Sequence, residues 1–501
     1  MLGFVLATSL PDGASHSELT FARRGRALKS LRMIRKILSS GFVLKLAREA
    51  LPGGFRQKVG EFVLPKPTEV SFQEAIADRA PRAFKPGRAI LVCGSLQPGG
   101  AERQVVNTLG GLAPILGNEN LTLLCDFLQA GTKERYDFYL PQARKSGALV
   151  REIRKDCTAK DSLPLRFQKA ARNLHPGLVA DVTALFHEFR ALQPEVVHAW
   201  LDWSNVRAGL AAVLAGVPRV LLSGRNLSPR HFALNTDYYL PAYRALSQCG
   251  DEVVWLNNSQ AGADDYADWL SLPADRIKVL RNGVQFEERT RPTHAQYGGL
   301  RANWGIPTDV PLIGGMFRFS QEKRPLLWIE VATRIADASP SAHFVIFGDG
   351  PLRSEMEALI RELGLDKRVK MPGLAMPSLD GLAPCDLVLL TSSGEGTPNV
   401  LLEAQWLGIP VVTVDAGGAG EAVNHGVTGL VVQSGDVADI AAAVLSILRD
   451  AALGAKAREE GAAFVDERYG IDRMIAETLA AYDMRPTHRS ARQDGNEQDR
   501  T

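Results

Sequence analysis

No two cysteines stand at a metal-ligand spacing: Cys93, Cys125, Cys157, Cys249 and Cys385 are scattered and odd in number. This argues against a zinc site or a disulfide framework and for a reducing compartment. Also missing is any apolar run near the ~20 residues that cross a bilayer. Residues 1–10 are apolar but lack a basic start and run into Pro11-Asp12-Gly13, so they do not read as a secretory signal. Charge of one sign is not in excess either. Against 58 Lys and Arg stand 56 Asp and Glu, a net charge of +2, too small for a surface committed to nucleic acid. The chain is therefore expected to be cytoplasmic, with any basic function confined to a local segment and no nucleic acid as partner.

Such a segment exists. Residues 23–58 are crowded with Arg and Lys, hold the single acid Glu49, and place Leu28, Leu31, Ile34, Ile37 and Leu38 at helical spacing. A basic amphipathic helix of this kind can lie on the inner face of an anionic membrane, each Lys or Arg contributing about 1 kcal/mol near the surface. The other reading is a solvated helix packed on the first domain. Pro52-Gly53-Gly54 and the Pro-rich stretch 65–86 then read as a linker, so residues 1–85 form an N-terminal extension.

Past residue 86 short apolar runs alternate with longer helical stretches, the pattern of doubly wound parallel sheets. Strands are expected at 88–93, 121–125, 195–199, 219–222 and 252–256, and again at 311–316, 342–347, 368–371, 386–391 and 409–414. The fold class is α/β: two facing Rossmann-like domains, 86–285 and 306–466. A polar linker covers 286–305, a crossing helix 467–485, and a charged tail, expected to be disordered, 486–501. In open parallel sheets ligands bind beyond the carboxyl ends of the strands, so the loops there hold the candidate chemistry.

After the strand ending at Leu390 comes Thr391-Ser-Ser-Gly-Glu395-Gly-Thr397-Pro398-Asn399-Val400-Leu-Leu-Glu403. Thr397 suits an N-cap and Pro398 the first helical position. The backbone N–H groups of Asn399 and Val400 then form an anion site that suits a diphosphate. Glu403, one turn on, is placed for the neutral hydroxyls of a ribose. Glu395, in the loop, is nearer the reacting end and can bind sugar hydroxyls or stabilise positive charge.

With its Glu, seven residues, Glu spacing, this stretch resembles the family-four retaining glycosyltransferases of the GT-B fold, and the resemblance runs from about Ala89 to Leu479. It implies a nucleotide-sugar co-substrate, most simply a UDP-sugar, no metal or other cofactor, and retention of configuration. It also implies that Arg318 and Lys323, in Gly315-Met-Phe-Arg318-Phe-Ser-Gln-Glu-Lys323, neutralise the leaving diphosphate. Gly348 in Phe347-Gly348-Asp349-Gly350 looks like a turn beside the nucleotide, and Met371-Pro372-Gly373-Leu374 occupies the position where the family's backbone reads the base. Gly99 and Gly100, in Gln97-Pro-Gly99-Gly100-Ala-Glu102-Arg103, match a pattern in which backbone approaches the diphosphate or the sugar.

On the acceptor side, the candidates are His198, Trp200 and Asp202 in one loop and Arg225 in the next. Relatives often carry a histidine near the donor sugar where this chain has Arg225, which stays protonated and cannot act as a base. The acceptor expected is a glycan or a lipid-linked sugar. Rival readings are a UDP-sugar 2-epimerase of the same architecture and an inactive carbohydrate-binding scaffold.

Overall fold

The computed structural model describes residues 72–484 apart from 77–78, 131–134, 155–162, 176, 233–237, 287–293 and 376–377. The basic helix expected within 23–58 and the tail 486–501 lie outside the described residues.

Two parallel sheets carry the fold. The first has seven strands, β1 (Lys85–Ser95), β2 (Leu121–Phe127), β3 (Leu149–Glu152), β4 (Pro194–Trp200), β5 (Arg219–Gly224), β6 (Val253–Asn257) and β7 (Ile277–Val279), in the spatial order 3-2-1-4-5-6-7. The second has six, β8 (Leu312–Met316), β9 (His343–Phe347), β10 (Val369–Gly373), β11 (Leu387–Leu390), β12 (Val411–Val414) and β13 (Gly429–Val432), in the order 10-9-8-11-12-13. Central strands such as β1 and β11 are apolar along their length because helices cover both faces of a parallel sheet. In register, Leu91 of β1 faces Leu123 of β2 and His198 of β4.

All ten strands expected from the sequence are present. The three that sequence reading missed, β3, β7 and β13, are edge strands of four, three and four residues. Having a neighbour on one side only, they are short and carry mostly half-exposed residues.

Both faces of the first sheet are covered. On one, Val206 and Leu210 of the helix Asp202–Ala215 pack with Phe186, Phe189 and Tyr243; on the other, Val105, Leu109 and Leu112 of the helix Gly100–Leu116 pack with Met474, Ile475 and Tyr482. The second sheet buries Trp328, Phe344 and Leu387 in a core of its own. Within 286–305 the chain forms the helix His294–Asn303, whose buried Arg301 donates to the carbonyls of Pro384 (2.6 Å) and Val310 (2.9 Å) and to Asp386 (3.0 Å).

The chain returns to the first sheet at Gly470, between the helices Ala451–Tyr469 and Ile471–Tyr482. There the outgoing and returning strands of chain run together, Val284 N donating to Tyr469 O at 2.7 Å and Arg473 to the Asn282 carbonyl at 3.0 Å. The final helix sits so close to Gly111 that a Cβ there would come within 2.5 Å of Ile475. Among the described residues no helix is long and apolar enough to cross a membrane.

Each strand order reverses once, between β1 and β4 in the first sheet and between β8 and β11 in the second. Crevices open at such reversals, beyond the strands' carboxyl ends. The loops that flank them are those the sequence singled out.

Candidate active site

The loop after β11 leads into the helix Asn399–Trp406. Its N-cap is Pro398, not Thr397 as expected; the Thr397 hydroxyl instead donates to the Asn258 carbonyl (2.6 Å). The amides of Asn399 and Val400 still lie ahead of the first closing bond, Leu401 N to Pro398 O, and remain a helix N-terminus suited to an anion.

Glu395 is held rigidly. Its amide donates to Ala416 O (3.2 Å) and its carbonyl accepts from Gly418 N (2.9 Å). Gly417 allows this with a φ of +62°, where an added Cβ would lie 2.4 Å from the Glu395 carbonyl oxygen. The Glu395 carboxylate accepts from Lys323 Nζ (2.5 Å) and Ser392 Oγ (2.6 Å). Lys323 ends a short turn after β8 that is stitched to the same loop: Arg324 donates to the carbonyls of Thr391 (2.6 Å) and Ser392 (3.1 Å), and the Thr391 hydroxyl donates back to Lys323 O (3.2 Å). A cation and a carboxylate from separate loops are thus fixed beside the helix start.

Glu403 is buried on the same helix and faces the first domain, where Arg103 Nη1 pairs with its Oε1; Ser378 Oγ donates to the same oxygen at 2.6 Å. Burial disfavours the charged Arg103 guanidinium, but Glu403 more than offsets this and leaves its pKa above the ordinary value. Glu102, also buried, has its carboxyl raised by desolvation against the opposing hydrogen bond from Gln97 (3.1 Å) and the positive field of Arg318. Arg318 is exposed in the loop after β8, near enough for its field to reach this first-domain acid.

Asn282 lies at the centre of the contact between the domains. Its Oδ1 accepts from Arg225 Nη1 and Asn258 Nδ2, both at 3.2 Å, and its Nδ2 donates to Thr397 O (3.0 Å) and Asn399 Oδ1 (2.9 Å). From sequence, Arg281-Asn282-Gly283-Val284 resembles the interdomain segments of the family, Asn282-Gly283 being also an ordinary turn, and no role falls to Arg103 or Glu102. The Gly-Gly-x-Glu-Arg spacing was the available signal for the latter pair.

Residues 299–464 match the family described as glycosyl transferases group 1. The chain is 31% identical over 374 residues to the Vi polysaccharide biosynthesis protein VipC/TviE of Salmonella typhi, covering 71% of this chain and 64% of that protein, so it spans under two thirds of that relative's length. It is 31% identical over 288 residues to alpha-D-kanosaminyltransferase of Streptomyces kanamyceticus, covering 55% of this chain and 73% of the relative. The chain belongs to the group 1 glycosyltransferases. A solved structure of Anabaena HepE in complex with UDP shares the fold of this glycosyltransferase, with a TM-score of 0.63, 22% identity, and coverage of 79% of this chain and all of the other.

Other expected site residues of this glycosyltransferase are placed differently from one another. A Cβ on Gly99 would meet the Glu102 carboxylate at 2.0 Å, and one on Gly100 the Asn399 amide at 3.0 Å, so the space these glycines leave is used by side chains of the cleft itself. Gly348, at φ +140°, leaves room for the Phe317 carbonyl oxygen, 2.0 Å from where its Cβ would be. Packing between the two loops requires a glycine there. Leu374 is exposed just past β10.

Of the acceptor-side candidates, His198 and Trp200 are fully buried and offer no surface for a sugar to stack on. His198 stacks on Trp200 with centroids 3.5 Å apart, and its nitrogens are taken by Tyr482 OH (3.2 Å) and Ser223 Oγ (2.7 Å). Asp202 accepts from Tyr243 OH and Tyr266 OH, both at 2.6 Å, which anchors the start of its helix. Among the described residues, Arg225 has two buried donors without a partner, Nε and Nη2, while its Nη1 donates to Asn282.

Proposed function

We propose that this chain is a retaining glycosyltransferase that moves a sugar from a nucleoside diphosphate, most simply UDP, to a polysaccharide or lipid-linked acceptor in envelope or exopolysaccharide synthesis. The observation that carries the reading is the convergence on one cleft wall of Lys323, Glu395, the Asn399 and Val400 amides and Glu403. Polysaccharide assembly is supported by the likeness to the Vi protein, and UDP by the HepE fold.

In this reading the diphosphate rests on the helix start, with Lys323 and Arg318 stabilising the negative charge that grows as the bond from C1 to the phosphate oxygen breaks. The acceptor oxygen forms its new bond to C1 on the face the phosphate leaves. The departing phosphate takes the acceptor's proton, so no protein base is needed. Glu395 faces the sugar and Glu403 the ribose. Closure of the two domains over the donor keeps water from consuming it. The acceptor enters from the first domain, where a cavity of about 110 Å³ is lined by Ser95, Gln97, Glu102 and Leu201 at the β1/β4 reversal. The basic segment 23–58 would hold the protein at the inner face of the cytoplasmic membrane.

Incubating the purified full chain with a panel of nucleotide sugars and following nucleotide release tests this. Release of UDP, slow without acceptor and faster with a membrane glycolipid extract, is expected. A changed sugar with no release would assign a 2-epimerase instead, and no binding of any nucleotide would leave the scaffold.

A further inference from the structure

Among the described residues, no carboxylate pairs with the Arg225 guanidinium. Its Nη1 donates to Asn282, but its Nε and Nη2 are shielded from solvent and have no hydrogen-bond partner. Burial pulls its pKa down to about 9, and no neighbouring carboxylate offsets the effect. Of the other arginines at the cleft, Arg103 is paired with Glu403, and Arg324 donates to the Thr391 and Ser392 carbonyls. An unpaired buried cation is costly, and such a group is retained where a ligand completes it.

The position of Arg225 narrows that ligand. Its backbone lies against the donor loop: a Cβ on Gly396 would come 2.4 Å from the Arg225 carbonyl oxygen, so the residue adjoins Glu395, on which the transferred sugar is placed above. The guanidinium carbon is 5.9 Å from the centre of the Trp200 ring, whose Nε1 also lacks a partner. The diphosphate already has Lys323, Arg318 and the helix N-terminus. A neutral sugar hydroxyl could accept one bond here but would leave the charge unbalanced. Nε and Nη2 form one edge of the guanidinium, the edge that grips a carboxylate through two parallel bonds.

We propose that Arg225 binds the carboxylate of an acidic donor sugar, so that this enzyme transfers a uronic acid residue in preference to the neutral hexose. The assignment rests on the donor-site reading given above.

Calorimetric titration of the full chain with UDP, and with the pairs UDP-glucose and UDP-glucuronic acid, UDP-galactose and UDP-galacturonic acid, tests it. In at least one pair the acidic sugar is expected to bind about 30-fold more tightly, as charge-assisted hydrogen bonds would give. Arg225→Met should erase that preference while leaving the Kd for UDP itself unchanged. Equal affinities within both pairs overturn the assignment, and this measurement needs no variant to fold. So does an Arg225→Met protein that loses affinity for UDP and every UDP-sugar alike, since Arg225 would then be a phosphate ligand. Failure of the unaltered chain to bind UDP at all overturns the donor site and this assignment together.

Discussion

Arg103, in the first turn of the first domain's leading helix, forms an ion pair with Glu403 on the helix that begins at the candidate donor site of the second domain. The two residues are 300 positions apart in sequence. The pair fixes the Glu403 carboxylate in the cleft, and it couples the proposed ribose contact to the approach of the domains.

Replacing Glu403 by Ala should weaken UDP binding about 10- to 100-fold, the worth of hydrogen bonds to a charged group. Arg103→Met should have a smaller effect of the same sign, because it frees Glu403 without removing it. Calorimetry with UDP decides the point; unchanged affinity in the Glu403 variant would remove the ribose role.

Lys323→Ala and Arg318→Ala should each lower kcat by about 100- to 1,000-fold, as expected when a group that stabilises transition-state charge is lost. Lys323→Ala has a second consequence, since it also leaves Glu395 without its 2.5 Å partner. Near-normal turnover in either variant would contradict the phosphate assignment. Rates should be measured at saturating donor.

Gly417 and Gly426 make a controlled comparison. Both have positive φ, +62° and +79°, but only at Gly417 would a Cβ strike protein, 2.4 Å from the Glu395 carbonyl oxygen; at Gly426 the space is open. Gly426→Ala should cost about 1 kcal/mol of stability from backbone strain and leave turnover intact. Gly417→Ala should displace Glu395 and lower kcat by an order of magnitude or more, with UDP affinity retained. Similar activities in the two variants would show that the position of Glu395 is not set by this contact.

His198 predicts a pH dependence of stability. Burial, aided by the charge of Arg225, holds its pKa well below the ordinary histidine value, so the folded protein keeps it neutral. The unfolded chain takes up a proton near pH 6.5, so the contribution is fully present above that value and is lost as the pH falls below it, at about 1.4 kcal/mol per unit. Thermal unfolding followed from pH 7.5 to 5 should show a fall in Tm that is shallower in His198→Gln. Parallel curves for the two proteins would refute the assignment.

Much of the architecture was legible because a parallel sheet covered on both faces requires runs such as Ile90-Leu91-Val92, and such runs are visible in one dimension. The edge strands β3, β7 and β13 were not, since they are only three or four residues long and mostly half-exposed. Glu395 and Glu403 could be picked out because each stands in or just after a loop following an apolar strand, with glycine and proline marking the turn, and Lys323 because its segment resembles the family's Arg and Lys pair. Thr397 was misread as a cap; the partner of its hydroxyl, the Asn258 carbonyl, belongs to the other domain. Trp200 and His198 were open to either reading until packing showed both fully buried.

The sequence by itself determined the two sheets, the loops at their carboxyl ends and the chemical types gathered there, because these follow from local periodicity and from what each residue can donate or accept. Only the tertiary structure decided which charges are paired and which are not: that Arg103 meets Glu403, that Asn282 joins the domains, and that Arg225 donates to Asn282 with two N–H groups left unmatched among the described residues. Pairing depends on distances of a few ångströms between residues hundreds of positions apart, and chain order carries no record of them.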